Sequence, residues 1–159
     1  MSTGSRGQGD GQPSVPPALR PRHPAASTTG TVVIGAGQAG LALSHRLTER
    51  GHEHVLLERG RVAERWRSQR WDSLRLLTPN WMTRLPGHRY TGGDPDGFMT
   101  AAEAVGMFDS YAASFDAPVV EGVEVEQVTH DGCRFVVRTA SGTWRADNVV
   151  VATGWCDLP

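Results

Sequence analysis

The spacing of apolar residues changes along the chain, and the changes mark its elements. Residues 1–29 are rich in Gly, Pro, Ser and Arg, with scarcely a large apolar side chain. Such a stretch cannot bury enough surface to offset its ordering entropy, so a disordered tail is expected over 1–29 and a folded domain over 30–159. Thr31-Val32-Val33-Ile34 is a β-branched run suited to a buried parallel strand. A helix should follow, its apolar face formed by Ala39, Leu43 and Leu47 with Ala42 beside them, and Gly51 should stop it. Val55-Leu56-Leu57 reads as the second strand, ending in Glu58-Arg59.

About sixty residues of crossover come next, long for a connection without a task. The crossover holds an Arg/Trp-rich stretch, then the turn-rich residues 92–97, then a second helix. Thr100 or Met99 should open that helix, with Glu103 placed for a capping box and Val105, Phe108, Tyr111 and Ala112 on its apolar face. Pro118-Val119-Val120 is a candidate third parallel strand. From Val123 the period falls to two, and the turns Asp131-Gly132 and Ser141-Gly142 divide a three-stranded antiparallel meander. Asn148-Val149-Val150-Val151-Ala152 closes the pattern as a buried strand, followed by Thr153-Gly154.

Between the first strand and the first helix lies Gly35-Ala36-Gly37-Gln38-Ala39-Gly40, a GxGxxG sequence. Gly35 permits the tight turn, Gly37 lets a pyrophosphate approach the backbone, and Gly40 lets the helix pack closely on the sheet. The helix start at Gln38-Ala39 offers unpaired N–H groups and the positive end of a dipole to phosphates. Glu58 stands at the end of the second strand, where a carboxylate accepts hydrogen bonds from ribose hydroxyls. Its charge would repel a 2′-phosphate, so this first site suits FAD or NAD over NADP. These residues by themselves do not separate FAD from NAD.

From Val32 onward the chain resembles the FAD- and NADPH-dependent monooxygenases: the flavin-containing monooxygenases, the YUCCA-type plant enzymes and related bacterial flavoproteins. The resemblance is carried by residues 33–42, Leu56-Leu57-Glu58-Arg59, Arg65-Trp66-Arg67, Trp71-Asp72-Ser73-Leu74-Arg75-Leu76, Leu85-Pro86-Gly87 and Val150-Val151-Ala152-Thr153-Gly154-Trp155. It implies an α/β fold: a Rossmann-like FAD/NAD(P)-binding domain with a parallel sheet and an inserted antiparallel β-meander, incomplete at its C-terminus. It also implies FAD contacts from Gly35, Ala36, Gly37, Gln38, Ala39 and Gly40, from Glu58 and Arg59, and from Trp66, Arg67, Trp71 and Leu76. Val125, Ala152, Thr153 and Gly154 complete the expected set. The NADPH site of the family is expected beyond this chain, after a second glycine fingerprint. Many members carry an asparagine just before the position of Pro79; Leu77 matches that place here, with Asn80 nearby.

The function implied is the FAD-binding portion of a flavin-dependent oxidoreductase, in full length an NADPH-dependent monooxygenase acting on a small organic substrate with O₂. No side chain is assigned as catalytic, because the cofactor performs the redox chemistry. Two alternatives stay open: a non-catalytic dinucleotide-binding fragment, and an NAD-linked oxidoreductase domain of the disulfide-reductase type, which would want a CxxxxC pair shortly after Glu58.

Composition narrows the partners. The net charge is −1, and all 16 basic residues are arginine. Glu64 and Asp72 interrupt the arginines around Trp66, Trp71 and Trp81, which argues against a nucleic-acid footprint. The six histidines form neither HxxxH nor HExxH, so no metal site is expected. Two cysteines, Cys133 and Cys156, are too few for a disulfide framework. With no apolar h-region at the start and no apolar run of membrane length, a cytoplasmic protein without membrane contact is expected.

Overall fold

The computed structural model describes residues 26–154. The expected disordered tail therefore lies outside the described residues up to position 25, and its last four positions are not loose. Strand β1 runs Ala26–Ile34, and its early half pairs in parallel with Thr143–Ala146. These small polar residues join the sheet through backbone pairing, which a hydrophobicity pattern does not reveal.

Helix α1, Gln38–Glu49, follows the glycine turn. Gly51 adopts φ +62°, its N–H bonds to Thr48 O (2.9 Å), and His52 N–H bonds to Leu47 O (2.9 Å). That pair of bonds is a Schellman stop, made cheap by the missing Cβ. The buried face of α1 is turned from the expected one: Gly40, Leu41 and Ser44 are buried, Leu43 and Leu47 pack at the margin, and Ala39 is exposed.

Strand β2, His54–Glu58, pairs in parallel with β1. The crossover then contains the short helix α2, Glu64–Ser68, a 3-10 turn at Asn80–Met82, and a small hairpin of β3, Arg84–Leu85, and β4, His88–Arg89. Helix α3, Ala101–Ala113, opens with the expected capping box: Thr100 Oγ1 accepts from Glu103 N–H (3.2 Å) and Glu103 Oε2 accepts from Thr100 N–H (2.7 Å). Val105, Phe108, Tyr111 and Ala112 are all buried. Strand β5, Val119–Glu121, then pairs in parallel with β2.

Strands β6, Val125–His130, and β7, Phe135–Thr139, form the first hairpin of the meander. The expected third meander strand and the closing strand are one element, β8, Gly142–Val151. Its first half pairs antiparallel with β7, and from Thr143 to Val151 it pairs in parallel with β1. A single six-stranded mixed sheet results, in the order β5-β2-β1-β8-β7-β6. Beyond Ala146, β8 has β1 as its one strand partner among the described residues.

Two cores lie on opposite faces of this sheet. On one, Val33 and Leu56 meet Leu41 of α1 and Phe108, Tyr111 and Ala112 of α3. On the other, Val32, Val55 and Leu57 meet Val137 and Ala146, so the meander covers the face that the helices leave open. The strand ends near the glycine turn thus remain between the two layers, where open α/β sheets bind ligands.

Candidate functional site

Three glycines shape the turn after β1 for three separate reasons. Gly35 has φ +105°, and a Cβ there would lie 2.7 Å from Ala152 O. At Gly40 a Cβ would overlap the Gly35 carbonyl, so this residue sets how closely α1 approaches the turn. Gly37 is different: its backbone is ordinary (φ −86°, ψ −166°), and a Cβ there meets nothing within 4 Å. Neither its conformation nor its neighbours in the protein demand glycine. What remains as the reason is open space on the side that a ligand would fill.

That space is a cleft of about 920 Å³. Of the expected residues, Gly35, Gly37, Gln38, Ala39, Glu58, Arg59, Trp66, Val125, Ala152, Thr153 and Gly154 line it. Gly37 is the N-cap of α1 and supplies no side-chain cap, so the first N–H groups of the helix have no partner of that kind. Ala36 and Gly40 are buried behind the lining. Glu58 points into the turn: its Oε2 accepts from Ala36 N–H (2.8 Å) and its Oε1 from Gly60 N–H (2.9 Å). Each oxygen keeps lone-pair capacity for a further donor.

The segment after Glu58 is bent onto the same turn. Ala63 N–H bonds to Ala36 O (3.1 Å), with Ala63 held at φ 57°, a conformation uncommon for a residue with a Cβ. Glu121 Oε1 at the end of β5 accepts from Val62 N–H (2.7 Å), and Gly122 N–H bonds to Gly60 O (3.0 Å). These bonds fix the floor on which α2 carries Arg65 and Trp66, and its C-cap Gln69, to the cleft. Arg70 lies over the Trp66 ring at 5.1 Å.

Three expected residues lie elsewhere. Arg67 turns away from the lining: its Nη2 donates to both carboxylate oxygens of Asp109 (2.5 Å each) and its Nε to Val62 O (3.0 Å), tying α2 to α3. Trp71 is 63% exposed and outside the cleft. Leu76 is half-buried, its N–H bonded to Met99 O (2.8 Å). The asparagine question divides in the same way: Leu77 is 95% exposed, whereas Asn80 is buried with its amide donating to Asp94 O (2.8 Å).

Sequence reasoning did not name Arg84, Leu85 and Pro86 of the small hairpin, or Val123 and Glu124, as lining residues. The Leu85-Pro86-Gly87 segment, part of the family resemblance, signals the first group. The second had none, because Val123 reaches the site through its N–H bond to Glu58 O (2.9 Å) across the sheet. Among the described residues no group of His, Cys, Asp or Glu could hold a metal ion, and no helix is long and apolar enough to cross a membrane.

Comparison with known proteins agrees with this architecture. A family profile described as pyridine nucleotide-disulphide oxidoreductase matches residues 32–159. An uncharacterized oxidoreductase CzcO-like of Geobacillus kaustophilus is 38% identical over 124 residues, 77% of this chain and 35% of that protein. Indole-3-pyruvate monooxygenase YUCCA4 of Oryza sativa subsp. japonica is 33% identical over 143 residues, 79% of this chain and 32% of the enzyme. Among solved structures, the flavin-containing monooxygenase from Stenotrophomonas maltophilia matches with TM-score 0.72 and 30% identity, over 80% of this chain and 39% of that one. The chain thus spans about a third of the length of the curated relatives it matches.

Proposed function

The chain belongs to the pyridine nucleotide-disulphide oxidoreductase family, and on that premise we propose that its cleft holds FAD for a flavin-dependent monooxygenase. The observation that carries the reading is the open space at Gly37 facing a carboxylate at the next strand end. Those residues fit the group. The diphosphate would rest against the uncapped start of α1, where unpaired N–H groups and the helix dipole favour negative charge. Glu58, already fixed by two backbone N–H groups, would accept the ribose hydroxyls. Trp66, backed by Arg70, offers an aromatic face, and Thr153-Gly154 line the same cleft.

When bound, FAD would supply the electron transfer and oxygen chemistry, drawing electrons from NADPH to oxygenate a small organic substrate. The protein's share is to bind, orient and exclude water. A cytoplasmic location without nucleic-acid or membrane partners accompanies this reading. Among the described residues the disulfide-reductase alternative finds no support: Cys133 is exposed beside the β6–β7 turn and does not line the cleft.

Visible absorption of the purified protein tests the proposal. Flavin bands, or their appearance on FAD titration with saturation at one equivalent, support it. Colourless protein that FAD cannot titrate overturns it.

A further inference from the structure

A second groove, of about 630 Å³, is built on the β3–β4 hairpin, and its chemistry differs from that of the first. Trp81, Arg84, Leu85, His88, Arg89 and Tyr90 line it, and no carboxylate does. The hairpin register sets Arg84 directly opposite Arg89. Like charges facing across an antiparallel ladder destabilise it. Neither guanidinium has a hydrogen-bond or ion-pair partner among the described residues, although other surface arginines, such as Arg46, Arg61 and Arg134, each have one. Both side chains are exposed, so solvent screens the pair to a fraction of a kcal/mol, and an anion seated between them would turn that mild repulsion into two attractions.

The remaining lining supplies a flat apolar surface. Trp81 is half exposed at the groove. Tyr90 is set in place, because its ring lies where a side chain on Gly92 would stand, and its hydroxyl accepts from Asp94 N–H (3.4 Å). Two acids stand in this turn: Asp94 lies over Gly97, where a Cβ would meet its carboxylate, and neither it nor Asp96 lines the groove. The groove volume lies within the range of small-molecule sites.

We propose that this groove binds a small planar organic anion, its carboxylate or phosphate between Arg84 and Arg89 and its ring against Trp81 and Tyr90. Two guanidinium forks match either oxyanion, and the indole and phenol faces match the ring. Arg84 and Leu85 line both this groove and the larger cleft, so the bound anion would be the cleft's immediate neighbour across β3. The inference does not depend on FAD occupying that cleft.

Calorimetric titration of the full chain tests it, with 2-naphthoate and 2-naphthyl phosphate as the anionic probes. At least one should bind at one equivalent; tighter naphthoate marks a carboxylate ligand, and tighter naphthyl phosphate a phosphate one. The neutral 2-naphthamide should bind at least about tenfold more weakly than 2-naphthoate where the latter binds, and inorganic phosphate should not compete at equal concentration. Arg89→Gln should weaken the preferred probe by about tenfold or more, while its thermal midpoint without ligand rises, since a like-charge pair is relieved. FAD titration of Arg89→Gln should match the parent. Equal binding of naphthoate and naphthamide, binding of neither anionic probe, or unchanged affinity in a folded Arg89→Gln variant would overturn the proposal.

Discussion

Replacement of Gly37 by alanine separates ligand space from protein space. The added Cβ meets no protein atom within 4 Å, and φ −86° with ψ −166° is open to any residue. The folded state meets no clash. Restricting the unfolded chain stabilises by about 0.4–1 kcal/mol, and the poorer N-capping of alanine opposes it by a similar amount, so the melting midpoint should stay close to the parent's. A diphosphate resting on this backbone would meet the methyl group and be pushed beyond hydrogen-bonding distance of at least one amide. One charge-assisted bond is worth about 1.5–3 kcal/mol, so FAD affinity should fall by roughly 10- to 150-fold. Gly40→Ala is the contrasting case, because its Cβ would fall on the Gly35 carbonyl and damage the fold itself. Thermal melting of both variants, paired with FAD titration of the folded one, reads the two effects separately. A stable Gly37→Ala protein that still binds FAD within about twofold of the parent would refute the reasoning.

Further outcomes follow from single contacts. Tyr111 donates its hydroxyl to Pro86 O (2.7 Å) in a buried site, so Tyr111→Phe should cost about 1–2 kcal/mol in denaturant unfolding. Burial pushes the Tyr111 phenol up to about 12, above its unfolded value; its contribution to stability holds below pH 10 and is lost as pH rises toward 12, which phenolate absorbance would follow. Asp131 is pulled down to about 2, first by Arg134 N–H, then by Cys133 N–H and the Arg145 side chain. Its contribution to the β6–β7 turn is present above about pH 4 and lost as pH falls through about 2, and carboxyl NMR should show that midpoint. Arg67→Ala should lower stability by about 1 kcal/mol yet leave FAD affinity unchanged, whereas Arg65→Ala should weaken FAD; calorimetry and melting together check the pair.

What could be read from sequence was local. The glycine turn, Glu58 and the Thr100–Glu103 capping box depend on residues a few positions apart or on strand ends that hydrophobic runs define, and the structure shows all three. The contact face of α1 was less legible because Gly40 and Ser44 are buried without being apolar; Gly40 sits against the Gly35 carbonyl, Ser44 Oγ is hydrogen-bonded to His54 Nε2 (2.7 Å), and Ala39 was left facing the cleft. Strand β8 looked like two elements because its role changes at mid-length, from meander partner to parallel neighbour, while the backbone runs on. Arg67 illustrates a choice that sequence does not record: a guanidinium suits a diphosphate or a carboxylate equally well, and Asp109 lies 42 residues away.

The central claim is a position, and a crystal structure grown with FAD measures it. The account predicts phosphate oxygens about 3 Å from the amides at Gln38 and Ala39, with a ribose hydroxyl on Glu58. FAD seated away from that turn, or a cleft left without it at saturating concentration, would contradict the account.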